Sequence, residues 1–232
     1  MEKISIAIPT YNRYEMTLES FADVIDDERI AEVVISDDAS DWSLFNTLKT
    51  AVSSMPKVRI SRNLSNQDCY FNKRTSISLC LTNYVIILDS DNKIDKSYLD
   101  AIYSKKWHPE TIFAPEYAKP QFDYRDYSGL TLTKENISEY IDLPMVSTAL
   151  NTMNYFVHRH NYIKVFDMDT DPVTSDSLYQ NYNWLKEGYN IHILKGLQYN
   201  HLVHSGSHYI NNVARTPSNF NEILMDKLRN LK

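Results

Sequence analysis

Residues 84–92 read Tyr-Val-Ile-Ile-Leu-Asp-Ser-Asp-Asn, an apolar, β-branched run that stops at two carboxylates one residue apart. Such a run is a strand buried on both faces, as parallel sheets require. In open α/β sheets, ligands sit in the crevice beyond the carboxyl ends of the strands, so this strand carries charge to a binding edge. Extended chain projects residues i and i+2 to the same side, so Asp89 and Asp91 converge on one cation if the strand runs through them. Two hard oxygen donors suit Mg²⁺ or Mn²⁺, whose remaining positions phosphate oxygens and water fill. The competing reading is an Asx turn that closes the strand.

The rest of the first half alternates strand and helix. Residues 4–8 are extended, Pro9-Thr10-Tyr11-Asn12 breaks the run, and a helix follows near 14–24. Residues 32–35 form the next strand, ending at Ser36-Asp37-Asp38-Ala39-Ser40. A helix over 42–52 puts Leu44, Phe45, Leu48 and Val52 on one face. A short strand at 57–61 and a helix at 72–81 lead into the strand at 84–88. This alternation predicts a doubly wound α/β fold, a mostly parallel sheet with helices on both faces and right-handed crossovers.

The second half is less regular. Strands are expected at 111–114, 155–158 and 191–194, an aromatic loop at 115–129 and a short helix at 134–141. A helix over 175–187 has Thr174 or Ser175 as its N-cap and Gly188 just past its end. Phe220, Ile223, Leu224, Leu228 and Leu231 recur at helical spacing in a tail expected to pack on the same domain. With no repeat or linker, the 232 residues read as one domain: a first half (1–104), a second half (105–216) and a C-terminal helix (217–232).

Composition narrows the function. A formal net charge of −6 argues against nucleic acid as a partner, because phosphate binding needs a basic surface. No apolar run approaches the roughly 20 residues of a transmembrane helix, and no secretory leader is visible, so a cytoplasmic protein is expected. Cys69 and Cys80 have no metal-ligand spacing. Only four glycines occur, at 129, 188, 196 and 206, so the first half holds no glycine-rich phosphate cradle. A metal and side chains must hold any phosphorylated ligand.

Three strand ends carry polar clusters: Pro9–Arg13, Asp37–Asp38 and Asp89–Asp91. In a parallel sheet these share one crevice, which suits a nucleoside diphosphate. Asp38 is placed to accept a pyrimidine N–H or a ribose hydroxyl, Tyr11 to flank the base and Arg74 to bond base or phosphate. A helix cap is the alternative for Asp37–Asp38.

Ile-Ala-Ile-Pro-Thr-Tyr-Asn-Arg (6–13), Val-Ile-Ser-Asp-Asp-Ala-Ser (34–40), Asn-Lys-Arg (72–74) and Leu-Asp-Ser-Asp-Asn (88–92) together resemble, in order and spacing, the nucleotide-sugar half of family 2 glycosyltransferases with the A-type fold. The resemblance is firm to about residue 100 and looser beyond. It implies a metal-dependent, inverting transfer from a nucleoside-diphosphate sugar, UDP-sugar above all, to a glycan or other acceptor hydroxyl. Pro9, Tyr11, Asn12, Arg13, Asp38, Asp89 and Ser90 then belong to donor binding, Tyr11 and Asp38 at the base and Asp89 near the ribose and sugar. Asp91 becomes the Mn²⁺ or Mg²⁺ ligand. The family also needs a carboxylate base at a helix start, where Asp176 of Thr-Ser-Asp-Ser fits. Asp169 and Asp171 are its rivals, and Ser175 stands where the family often has an acid.

His201, His204 and His208 are spaced His-x₂-His-x₃-His. A zinc site is one reading, but no fourth ligand is evident. The resemblance instead implies His204 as a second metal ligand. Tyr117, Phe122, Tyr124 and Tyr127 are candidates to stack on a sugar. A non-catalytic nucleotide-sugar or glycan-binding module on the same fold is the alternative.

Overall fold

A computed structural model gives the structure of residues 1–151, 154–204, 206–217 and 219–231, the side chains of His208 and Tyr209 excepted. The first half runs β1 (Ile4–Thr10), α1 (Tyr14–Phe21), β2 (Ile30–Asp37), α2 (Trp42–Val52), β3 (Val58–Arg62), α3 (Asp68–Ser78), β4 (Tyr84–Ile87) and α4 (Lys96–Tyr103). The second half adds β5 (Thr111–Lys119), β6 (Phe122–Asp123), β7 (Thr131–Leu132), α5 (Ile137–Tyr140), α6 (Val146–Asn151), β8 (Phe156–His158), α7 (Arg159–Lys164), α8 (Asp176–Lys186), β9 (Asn190–Asn200), α9 (His208–Asn212) and α10 (Phe220–Arg229).

One sheet joins both halves in the order β3-β2-β1-β4-β8-β5-β9-β7, with β6 paired to β5. The four strands of the first half are parallel, as are β5 and β9. The inserted β8 is antiparallel to both its neighbours, and β7 is antiparallel to β9. The alternating pleat sorts side chains to two faces: Ile4, Ile6 and Ile8 of β1 enter one core with Phe21, Leu48 and Leu99, while Ala7 enters another with Tyr70, Ile77 and Trp184. Each such buried aliphatic side chain contributes about 1.5–3 kcal/mol. Covered on both faces, β1 and β4 are buried along their whole length, whereas β3 at the sheet edge is not. No helix among the described residues is long and apolar enough to cross a membrane.

The second half departs from expectation at β5 and β9. Both are longer than expected, because β9 continues through Lys195 and Gly196, which interrupt its apolar run. Gly196 adopts φ +84°, open to glycine, and its N–H donates to Glu116 Oε1 at 2.8 Å where the β5–β9 register shifts. The expected aromatic loop is therefore mostly strand and 3₁₀ turn. Tyr124 is buried, Tyr117 is covered by the Arg125 guanidinium, and Tyr127 donates to the Pro144 carbonyl. These three pack the fold; only Phe122 faces the cavity described next.

Candidate active site

The polar ends of β1, β2 and β4 open onto a cavity of about 1010 Å³. Pro9, Tyr11, Asn12, Arg13, Asp38, Asp89, Ser90 and Asp91 line it from the first half, and Asp176, His201 and His204 from the second. Ten of the eleven sequence-predicted site residues thus share one space. The exception is Arg74, which is absent from the lining, and its Nε has no hydrogen-bond partner. Its neighbour Lys73 takes the place instead. Along α3, Cys69, Asn72 and Lys73 recur at helical spacing on the cavity side, and Arg74 lies one step round the helix.

Two left-handed residues shape the loops after β1 and β2. Asn12 (φ 54°) and Ala39 (φ 61°) turn the chain sharply after β1 and β2. Asn12 N–H donates to Ser40 Oγ and its Oδ1 accepts from Asp41 N–H, each at 2.8 Å, so this side chain braces the two loops together. Asp37 accepts from Ser40 N–H and closes its own turn, whereas α2 has Asp41 as its N-cap. Asp38 is 3% exposed and its Oδ1 accepts from Asn63 Nδ2 and Gln67 N–H, both at 2.8 Å. Burial raises its carboxyl pKa above the usual value, against the pull of those donors. Tyr11 stays half exposed at the rim.

β4 ends at Ile87, earlier than the extended reading requires, and Asn92 N–H donates to Asp89 O at 3.0 Å to close a turn. The two carboxylates take different partners. Asn154 (φ 81°) fixes the turn by accepting Asp89 N–H at 2.9 Å. Asp89 faces Lys73 at 3.2 Å. Asp91 Oδ2 accepts from Arg13 Nη1 at 2.7 Å and from His204 Nε2 at 3.1 Å. Burial raises the Asp89 pKa, Lys73 opposes it, and Asp91 adds to it.

Asp176 opens α8, and Lys73 Nζ lies 2.7 Å from its Oδ2. Lys73 is 3% exposed. Burial works against its charge, but the carboxylates of Asp176 and Asp89 outweigh this and hold it well above the ordinary lysine pKa. Cys69 Sγ stands 3.9 Å from Asp176 Oδ2. Burial pushes the pKa of that thiol up. Three residues before Asp176, the β-branched Val173 sits at φ 50°, a strained conformation held by Asp171, which accepts its N–H at 3.0 Å. Ser175 Oγ donates to Asn221 Oδ1 and Thr174 bonds Thr216 at 2.7 Å, tying α10 to the start of α8. Asp169 and Asp171 do not line the cavity.

A divalent cation suits the Asp91–His204 pair. The two donor atoms are 3.1 Å apart, close to one edge of an octahedron with bonds of about 2.1 Å. A carboxylate oxygen with an imidazole nitrogen is a donor set for Mn²⁺. No three His, Cys, Asp or Glu side chains converge among the described residues, so ligand oxygens and water must complete the shell. A zinc site of protein ligands alone is not built: His201 packs on Phe122 and Tyr199, and the side chain of His208 lies outside the described residues.

An open, largely parallel sheet whose polar strand ends face one large cavity, with a second-half carboxylate at a helix start, is the architecture of A-type glycosyltransferases. The chain belongs to glycosyl transferase family 2, which matches it over residues 5–167. Crystal structures of S. aureus TarS share the fold. TarS 1–349 aligns with a TM-score of 0.65 at 15% identity, covering 85% of this chain and 59% of that one. TarS 1–349 in complex with UDP-GlcNAc gives 0.65 at 15% over 89% and 60%, and its complex with UDP gives 0.66 at 14% over 89% and 62%. The chain thus spans about three fifths of those TarS chains. No curated protein sequence matches it.

Proposed function

We propose that this protein transfers a sugar from a UDP-sugar to an acceptor hydroxyl with inversion at the anomeric carbon, and that it depends on Mn²⁺ or Mg²⁺. The observation that carries this reading is the Asp89–Lys73–Asp176 bridge: it sets a helix-start carboxylate beside the donor-side acids in one cavity. The TarS complexes with UDP and UDP-GlcNAc support uridine as the nucleoside.

In this mechanism Asp38 and Tyr11 hold the nucleoside, and Asp89 and Ser90 lie beside the ribose and sugar. Asp176 accepts the proton of the acceptor hydroxyl as that oxygen attacks the anomeric carbon. The new carbon–oxygen bond forms on the face opposite the departing group, and the electron pair of the breaking bond leaves with the diphosphate. Asp176 lies in the first turn of α8, where the helix macrodipole favours negative charge. Asp91 and His204 would hold the cation, which as a Lewis acid stabilises the developing diphosphate charge.

A thermal-shift series of nucleoside diphosphates with and without Mn²⁺ tests the donor. UDP with Mn²⁺ is expected to stabilise most, and equal stabilisation without Mn²⁺ contradicts the metal assignment. Donor binding with neither transfer nor hydrolysis over an acceptor panel would instead mark a binding module.

A further inference from the structure

Four hydrogen bonds around Asp91 close into a ring. Arg13 Nη1 donates to Asp91 Oδ2 at 2.7 Å, and Arg13 Nη2 donates to the Gly206 carbonyl. Gly206 N–H donates to His204 Nδ1 at 3.1 Å, and His204 Nε2 returns to Asp91 Oδ2 at 3.1 Å. The side chains of Arg13, Asp91 and His204 are 17%, 13% and 16% exposed, so water competes little with the two bonds to Asp91, whereas the two bonds to Gly206 are exposed.

This ring is closed to a metal in two ways. The guanidinium already occupies the Asp91 oxygen, and two cations on one oxygen repel strongly at this burial. In addition, Gly206 N–H points at His204 Nδ1, the nitrogen that must carry the imidazole proton once a cation takes Nε2. A cation on Asp91 and His204 must therefore expel Arg13 and break the Gly206–His204 bond. The displaced guanidinium then needs an anionic partner, and a diphosphate at the β1 and β4 strand ends supplies one in bidentate geometry.

We propose that the Arg13–Gly206–His204–Asp91 ring is a resting lock in which Arg13 substitutes for the divalent cation, so that metal and nucleoside diphosphate bind together and Arg13 passes from Asp91 to phosphate. The proposal rests on Asp91 and His204 being the metal ligands. Linkage makes the coupling reciprocal: each ligand raises affinity for the other by one factor.

Mn²⁺ binding followed by electron paramagnetic resonance, and UDP binding by calorimetry, test this on the full chain. Wild type should show Mn²⁺ and UDP tightening one another by about 100-fold. Arg13→Gln should bind Mn²⁺ alone about tenfold tighter, bind UDP about tenfold weaker at saturating Mn²⁺, and bind UDP without Mn²⁺ as wild type does. Loss of a merely structural contact would not tighten either ligand. Gly206→Ala disturbs the lock while keeping its charge, because the added Cβ would lie 3.1 Å from His204 Nδ1 and 3.2 Å from Cε1. It should also bind Mn²⁺ alone more tightly. Unchanged or weaker nucleotide-free Mn²⁺ binding in both variants overturns the lock. Wild type that takes no Mn²⁺ even with saturating UDP refutes the metal-ligand reading itself, a separate result.

Discussion

Lys73 Nζ and Asp176 Oδ2 meet at 2.7 Å although 103 residues separate them, and the same ammonium reaches Asp89 at 3.2 Å. One buried cation therefore joins Asp89 to the acid at the start of α8. Lys73→Met leaves both carboxylates without their partner, and removing one member of a buried pair costs about 3–5 kcal/mol. Chemical denaturation should show that loss. Combining it with Asp176→Leu should cost less than the sum of the two changes, since the residues share one interaction. Strict additivity would mean that the pair contributes nothing.

Asp91→Ala removes the only carboxylate joined to both Arg13 and His204 among the described residues. UDP affinity in Mn²⁺ should fall by about tenfold or more. UDP affinity without Mn²⁺ should rise, because Arg13, released from Asp91, becomes available to the diphosphate. Calorimetric titration reads both, and a wild-type response to Mn²⁺ moves the metal elsewhere.

Arg74→Ala should leave UDP affinity within about twofold, because its side chain is outside the cavity and only lining groups meet the ligand. A large loss would restore Arg74 as a donor contact.

Burial lowers the pKa of His158, His192 and His201 below the ordinary 6.5. The unfolded chain then takes up protons near that pH which the fold does not, so these groups contribute stability above it and lose it as pH falls below. Asp38 and Asp89, with raised pKa values, work in the opposite direction, so the histidine share is read by difference. The fall in urea midpoint from about pH 7.5 to about pH 5.5 should be smaller in His201→Gln than in wild type. An equal or larger fall contradicts this.

The first half was legible because β1, β2 and β4 are buried on both faces and end abruptly in polar residues, as at Leu88–Asp89 and Ile35–Asp37. The paired halves of the site were legible for the same reason. What the residue pattern hid is long-range partnership. Asn-Lys-Arg offers two cations, and only the docking of α3 decides that Lys73 points inward; the four-residue step from Cys69 to Lys73 was the available clue. Asp89 and Asp91 do not share an extended strand, because β4 ends at Ile87 and a turn follows, held by Asn154, which lies 65 residues away. β9 was cut short because Lys195 and Gly196 break its apolar run where a bulge preserves the ladder.

The most direct test of the proposed chemistry is Asp176→Asn, which keeps the size of the side chain and removes its basicity. Turnover with a UDP-sugar and acceptor should fall by about 10²–10⁴ while UDP affinity in Mn²⁺ stays within about threefold of wild type. Undiminished turnover in this variant would contradict the account and place the base on another residue.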